Sequence, residues 1–234
     1  MIQRRFSGFE PGGTMLSAIE RAVGKLSRDP DSVRLPFTDE EYWVVTENMV
    51  DWYGYQSDSD EALEPGWVLI PGGGAAFREI PSDVLYLRLI KAVADARARH
   101  LGLGPGHRQR LLDMGCGVGT VVGFCDRMGL DAVGIEIQSS LSGAHRELGV
   151  RVTYGDFFQA APPLLEETDI VYLYRPTNDL SQVDRLVEMI RRHTADDAVV
   201  VFAHLDDQAD VAGYDKIVFK REYEGYSTCV LLRQ

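Results

Sequence analysis

The chain has 234 residues, enough for one large α/β domain with an appendage. Hydrophobic residues make up 45% and charged residues 26%, which excludes a disordered or collagen-like chain. The net charge of −12 repels phosphate backbones, so neither a nucleic acid nor a membrane surface is expected as a partner.

The amino-terminal stretch carries Arg4 and Arg5 but no apolar core, so no signal peptide is expected, and no apolar run approaches the roughly 18 residues of a membrane span. The three cysteines, Cys116, Cys125 and Cys229, are odd in number and contain no CxxC pair. This pattern favours a reducing, cytoplasmic location over a disulfide framework or a zinc site.

The first hundred residues predict two helices around an irregular segment. Thr14 is a candidate N-cap for a helix with an apolar stripe, and Ser82 for a helix that ends near Arg99. Between them, residues 35–77 hold nine acids, no Lys or Arg, and many Tyr and Trp side chains. We interpret residues 1–104 as a cap and substrate-side region packed on a core domain of residues 105–234.

The second half alternates strands and helices. Strands are predicted over 110–114, 131–137, 151–156, 169–174, 197–204, 215–223 and 227–233, and helices over 119–128, 140–148 and 180–193. Several strands are continuous apolar runs, which are typical of a parallel sheet covered on both faces. The connection between the last two strands is too short for a crossover helix, so these strands should form an antiparallel hairpin.

The motif LLDMGCGVGTVVG, residues 111–123, joins a strand to a helix through a glycine-rich turn. Glycines 115, 117 and 119 allow a ligand to approach the backbone, and the helix amino terminus offers N–H groups to it. The spacing differs from the dinucleotide fingerprint, because Thr120 stands where that motif needs glycine. Asp113 would repel a pyrophosphate but attract the ammonium group of an amino-acid ligand.

Two more acids lie at the ends of the next two strands. Glu136 can accept hydrogen bonds from both hydroxyls of a ribose. Asp156 can accept one from an adenine amino group, with Phe157 or Phe158 packed on the base. Three successive strand ends therefore match ammonium, ribose and adenine in order.

With these motifs, roughly residues 108–234 resemble the class I S-adenosylmethionine-dependent methyltransferases. The resemblance implies a Rossmann-like, mostly parallel sheet of order 3-2-1-4-5-7-6 with strand 7 antiparallel and helices on both faces. It also implies S-adenosyl-L-methionine as cofactor and in-line displacement of the sulfonium methyl. The residues expected to bind the cofactor are Asp113, Met114, Gly115, Cys116, Gly117, Gly119, Thr120, Glu136, Ile137, Gly155, Asp156, Phe157 and Tyr174.

The methyl acceptor is less determined. After the fourth strand the chain has YRPT and lacks the D/N-P-P-Y/F motif of amino-methylating nucleic-acid enzymes. The leading hypothesis is therefore transfer to an N or O atom of a small molecule. Transfer to a protein lysine is an alternative, because IPSDVLYLRLI, GDFF and DIVYLY are similar to seven-strand protein-lysine methyltransferases. A second alternative is a protein that binds the cofactor but transfers no methyl group. A NAD-dependent oxidoreductase is less favoured, because Asp113 would repel the pyrophosphate of NAD.

Several residues are candidates for the acceptor side. His204 and Tyr174, at the ends of the fifth and fourth strands, are the candidate catalytic residues, with His204 as general base. Tyr53, Tyr55, Trp67 and Arg175 are candidate substrate residues. The aromatic ones could hold a cationic amine or could fill the seam between cap and core. His145 is expected at the surface, no metal site is predicted, and the sequence leaves the oligomeric state open.

Overall fold

A computed structural model describes residues 13–53, 67–70, 74–77, 84–176, 179–221 and 226–234. The helices are α1 (Met15–Arg28), α2 (Asp39–Tyr53), α3 (Leu85–Leu101), α4 (Thr120–Arg127), α5 (Ser142–Leu148), α6 (Phe157–Ala160), α7 (Pro162–Leu165) and α8 (Leu180–His193). The strands are β1 (Trp67–Ile70), β2 (Gly74–Phe77), β3 (Arg110–Met114), β4 (Asp131–Glu136), β5 (Val152–Tyr154), β6 (Ile170–Tyr174), β7 (Val199–Asp206), β8 (Tyr214–Arg221) and β9 (Tyr226–Arg233).

Seven strands form one sheet in the order β5-β4-β3-β6-β7-β9-β8. Strands β3 to β7 pair in parallel, whereas β9 is antiparallel to both β7 and β8. Counted from β3, this is the order 3-2-1-4-5-7-6, so both the predicted sheet and its closing hairpin are confirmed. The remaining two strands, β1 and β2, pair with each other as a separate antiparallel hairpin.

Neighbouring residues of each strand point to opposite faces of the sheet, and helices cover both faces. On one face, Leu111 and Tyr172 join a core cluster with side chains of α1, α3 and α4. On the other, Leu112 and Leu173 pack with side chains of α8. This two-sided burial is the physical reason for the continuous apolar runs in the sequence.

The amino-terminal region is more regular than expected. Thr14 caps α1 as predicted, by accepting the Ser17 N–H. The expectation of an irregular segment is wrong for residues 39–53, which form α2, because Thr38 Oγ1 accepts the Glu41 N–H and acids occupy the first turn. Ser82 lies outside the described residues, and α3 has Val84 at its N-cap without a side-chain bond.

Both early helices contact the later half of the chain. Helix α1 packs on α3 and β8, and α2 packs on α4 and α5. The division at residues 104 and 105 stays a prediction, although α3 shares the first core cluster with the central strands.

A buried arginine fixes α3 at the side of the sheet where the parallel strands begin. The Arg97 guanidinium contacts Asp169 at 2.7 Å, Asp197 at 2.8 Å and Gln109 at 3.0 Å. Asp169 directly precedes β6, and Asp197 precedes β7. Because its carboxyl-terminal half is anchored there, α3 directs its amino-terminal residues toward the opposite edge, where the parallel strands end.

Gly134 in β4 makes room for the loop that follows β3. A Cβ at this position would lie 2.5 Å from Cys116 Sγ and 2.9 Å from Cys116 Cβ. We expect Gly134→Ala to destabilise the protein by about 1–3 kcal/mol, because an overpacked core must shift. Denaturant unfolding measures this change. Gly104→Ala, where an added Cβ meets nothing within 4 Å, is the control, and equal effects of both substitutions would contradict the assignment.

Candidate cofactor and acceptor site

The glycine loop, residues 115–119, connects β3 to α4 and is tied to the end of β4. The N–H groups of Gly115 and Cys116 both donate to the Ile135 carbonyl at 2.9 Å. Gly119 is the N-cap of α4 and has no side chain to cap it. The first-turn amides of α4 therefore face this site as donors for a polar ligand.

Two glycines leave open space in front of the loop. Gly115 and Gly117 have φ values of 87° and 53°, and an added Cβ at either would meet nothing within 4 Å. A side chain in that space would stand where a ligand could reach the backbone. The loop is thus a cradle of the kind that the sequence motif predicts.

Glu136 ends β4 as predicted, and backbone hydrogen bonds fix its carboxylate. Oε2 accepts the Gly117 N–H at 2.8 Å, and Oε1 accepts the Gln138 N–H at 2.9 Å. Burial raises the pKa of Glu136, while these backbone bonds oppose the rise. Each carboxylate oxygen can accept a second bond, so capacity for two ligand hydroxyls remains.

Asp113, at the end of β3, is only 2% exposed and lies beside Tyr172 in the parallel register. Among the described residues, no hydrogen bond or ion pair reaches its carboxyl group. Burial, with a smaller contribution from Glu136, raises the pKa of Asp113 to about 8. The Tyr172 hydroxyl is likewise buried without a partner. The Asp113 carboxyl group and the Tyr172 hydroxyl, on register partners of neighbouring strands, could accept hydrogen bonds from an ammonium group, which has three donors to offer.

Cys116 packs in the niche at Gly134, and its thiol is buried. Burial raises the pKa of Cys116 well above its usual value, with Asp113 and Glu136 adding to the rise. Such a rise disfavours the thiolate, which is the reactive form of cysteine.

At the end of β5, Asp156 is exposed and caps α6, with Oδ1 accepting the Phe158 N–H at 2.9 Å. Its second oxygen is available to a base amino group. The Gly155 N–H donates to the Glu136 carbonyl, which joins this turn to the end of β4. The Phe157 ring packs partly on the second core cluster and on Phe158, which lies 4.2 Å from the Arg185 guanidinium.

The other predicted cofactor residues differ in solvent exposure. The side chains of Met114 and Thr120 are buried, so only their backbone can face the cradle. Ile137 follows β4 and is 57% exposed at the rim. The rim therefore presents an apolar side chain that a planar base could cover.

A second group of side chains lies where β6 and β7 end. His204 Nε2 is 3.3 Å from the Tyr86 hydroxyl of α3, and the Tyr174 ring lies 5.1 Å from the imidazole. His204 is 6% exposed, and Tyr86 is buried too. The structure thus brings together the two candidate catalytic residues, His204 and Tyr174, and adds Tyr86.

Backbone strain marks the same place. Arg175 and His204 have φ values of 41° and 56°, and they are the two positive-φ residues other than glycine in the described chain. The Arg175 N–H donates to the Ala203 carbonyl at 3.1 Å, beside a register shift of β7 between Phe202 and Leu205. Such conformations persist where the surroundings impose them, and they concentrate at functional sites.

The remaining predicted substrate residues are less defined. The Arg175 guanidinium lies 5.7 Å from the centre of the Tyr226 ring. Tyr53 and Trp67 belong to α2 and β1, of which only the backbone is described there, and Tyr55 lies outside the described residues. Their proposed contacts with an amine stay predictions.

The expectation that His145 lies at the surface is wrong. It is 3% exposed, because its ring packs beneath the glycine loop with hydrogen bonds to Gly117 and Tyr154. Sequence analysis missed both His145 and Tyr86 as site residues. Neither carries a local signal, since their partners are distant along the chain.

Within the described segments, no three His, Cys, Asp or Glu side chains group as metal ligands. The same segments contain no helix that is both long and apolar enough to cross a membrane.

A family model described as a methyltransferase domain matches residues 82–222, and no curated protein matches the chain. Among solved structures, an RNA methyltransferase from Salinibacter ruber, crystallised with S-adenosyl-L-homocysteine, is 23% identical with a TM-score of 0.42, and the match covers 61% of this chain and 91% of that one. A precorrin-6y C5,15-methyltransferase from Geobacter metallireducens is 15% identical with a TM-score of 0.43 and coverages of 60% and 88%.

Since the family match spans more than half of the sequence, the chain belongs to the methyltransferase-domain family. With its sheet order, it is a class I S-adenosylmethionine-dependent methyltransferase, and S-adenosylmethionine is its cofactor. The unpartnered Tyr172 hydroxyl, the buried Asp113 carboxyl group and the open cradle fit that cofactor.

The raised pKa of Asp113 predicts proton release on ligand binding. Near pH 7 the free carboxyl is mostly protonated, and a ligand ammonium would stabilise the carboxylate. Binding of S-adenosylhomocysteine should therefore release close to one proton at pH 7, and its affinity should rise as the pH approaches 8. Calorimetry in buffers with different ionisation heats measures this release.

Asp113→Asn should abolish the proton release. The control is Asp131→Asn, at the amino edge of the sheet, where Arg151 lowers the pKa of the carboxyl group. Equal proton release by wild type and Asp113→Asn would disprove the pairing of Asp113 with the ligand ammonium.

Proposed function

We propose that this methyltransferase transfers a methyl group to an N or O atom of a small molecule by direct in-line displacement. One observation carries the proposal: Tyr86, Tyr174 and His204 form an aromatic cluster near the carboxyl ends of β6 and β7, and β6 pairs with β3, which the glycine loop follows. A cofactor in the cradle and an acceptor at this cluster would meet along one edge of the sheet.

In this proposal, the three strand-end acids hold the cofactor. Asp113, with the Tyr172 hydroxyl, accepts from the ammonium group, Glu136 accepts from the ribose hydroxyls, and Asp156 accepts from the adenine amino group. When bound, S-adenosylmethionine supplies a methyl group that is already activated on a sulfonium. The protein must then contribute mainly alignment of the acceptor and exclusion of water.

The burial of the cluster favours a small or slender acceptor. We expect only a narrow group to reach His204, because this side chain and its neighbour Tyr86 are almost inaccessible to solvent. The tyrosine rings offer flat apolar walls, which suit an aromatic or aliphatic body. The net charge of −12 disfavours a polyanionic acceptor. A lysine side chain of a protein is also slender and is the alternative acceptor.

His204 is the group in the cluster that can take a proton. Its Nε2 faces the Tyr86 hydroxyl, which orients the ring. An acceptor hydroxyl must lose its proton during transfer, whereas a neutral amine can react first and lose its proton afterwards. A general base at His204 is therefore most useful for an oxygen acceptor. Tyr174 supplies the neighbouring wall, and Arg175 can pair with an anionic group of the acceptor.

The three described cysteines are free and buried, which agrees with a reducing compartment. A cytoplasmic location remains a prediction on this basis.

The acceptor class is tested with labelled S-adenosylmethionine and two panels: small aromatic and aliphatic alcohols and amines, and lysine-bearing peptides. Label in a small molecule is the expected result. Label only in peptides would replace the proposal with protein-lysine methylation. Binding of S-adenosylhomocysteine without transfer to either panel would favour a cofactor-binding protein without transferase activity.

With a labelled alcohol as acceptor, His204→Ala should lower kcat at pH 7 by about 100-fold, because general-base assistance is lost. It should also flatten the acidic limb of the pH–rate profile while S-adenosylhomocysteine affinity stays unchanged. His193→Ala, at the end of α8, is the control. An unchanged acidic limb would remove His204 from the role of base.

A further inference from the structure

His145 on α5 contacts the glycine loop from the side opposite the open cradle. Its Nε2 lies 2.7 Å from the Gly117 carbonyl oxygen, and its Nδ1 lies 2.7 Å from the Tyr154 hydroxyl. The imidazole is buried, whereas the Tyr154 ring is 41% exposed at the end of β5. The histidine thus links the rim of the site to the backbone of the loop.

Both backbone polar groups of Gly117 form hydrogen bonds with side chains. The Gly117 N–H donates to Glu136 at 2.8 Å, and its carbonyl oxygen accepts from His145 at 2.7 Å. Gly117 has a φ of 53°, in the left-handed region. The two side chains therefore determine how this residue is oriented between the end of β4 and α5.

The imidazole also packs closely on a second glycine of the loop. A Cβ added at Gly119 would lie 3.1 Å from His145 Cδ2 and 3.0 Å from Val150 Cγ2. The ring therefore supports Gly117 by a hydrogen bond and Gly119 by direct contact. Gly119 is the N-cap of α4, so this contact also fixes where the helix begins.

The hydrogen-bond partners determine the tautomer. A carbonyl oxygen can only accept, so His145 Nε2 must carry the hydrogen. In the neutral ring Nδ1 is then an acceptor, and the Tyr154 hydroxyl donates to it. Tyr154 thereby keeps the donor directed at Gly117, in the way that outer partners fix a histidine in other sites.

We propose that Tyr154 and His145 form a positioning pair that holds the glycine loop in its cofactor-binding conformation. The inference rests on the proposed placement of the cofactor in the cradle, and it adds two residues that have no contact role in that proposal. The pair also holds the Gly117 N–H against Glu136, and so keeps the carboxylate oriented toward the ribose position. Without it, binding must first order the loop, and affinity falls.

The test measures S-adenosylhomocysteine affinity by calorimetry and the melting temperature of each variant. His145→Leu removes the donor and keeps apolar bulk, so Kd should rise about 10-fold, as expected for one lost hydrogen bond. His145→Gln keeps an N–H donor and should stay within about 3-fold of wild type. Tyr154→Phe should weaken binding about 3-fold, because Nδ1 loses its donor. His107→Leu, at an exposed loop position, is the matched control and should change neither quantity.

A purely structural role would lower the melting temperature and leave Kd unchanged in His145→Leu, which would overturn the proposal. Equal weakening by His145→Gln and His145→Leu would overturn it as well. If His145→Leu does not fold, the Kd of Tyr154→Phe tests the proposal instead. An unchanged Kd in that variant would contradict a positioning role for the pair. A wild-type protein that binds no S-adenosylhomocysteine would instead overturn the cofactor placement together with the pair.

Discussion

The attachment of the glycine loop to the end of β4 is the constraint on which the site depends. The Ile135 carbonyl accepts two loop N–H groups, the Glu136 carboxylate accepts a third, and Cys116 fills the niche left by the missing side chain of Gly134. These contacts fix the direction in which α4 begins and in which Glu136 faces. A loop held this firmly is already arranged before a ligand arrives, so little conformational entropy is lost on binding.

The site also contains polar groups that the protein alone leaves unsatisfied. Asp113 and the Tyr172 hydroxyl are buried side by side on the central strands, with no hydrogen bond among the described residues. Burial without a partner costs about 1–3 kcal/mol for a neutral group and more for a charged one. In the proposed placement, the ammonium group of the cofactor would supply the missing hydrogen-bond donors.

The proposed acceptor side depends on long-range anchoring. Helix α3 is held at its carboxyl-terminal end by the Arg97 ion pairs, and it presents Tyr86 to His204 at the other edge of the sheet. His204 and Arg175 have strained backbone conformations, and β7 shifts register between Phe202 and Leu205 at the same place. The cluster is thus built by two neighbouring strand ends and one helix, and the packing of α3 on the sheet keeps it together.

The sequence by itself determined the sheet, because apolar runs, a glycine motif and strand-end acids are local patterns. It also held a signal for α2 that was missed: Thr38 followed by Glu41 matches the spacing of a capping box. Only the tertiary structure placed His145 under Gly117 and Tyr86 against His204, since these partners lie 28 and 118 residues apart in the chain. Such contacts depend on how helices pack on the sheet, and that packing is set by the whole core rather than by any one segment.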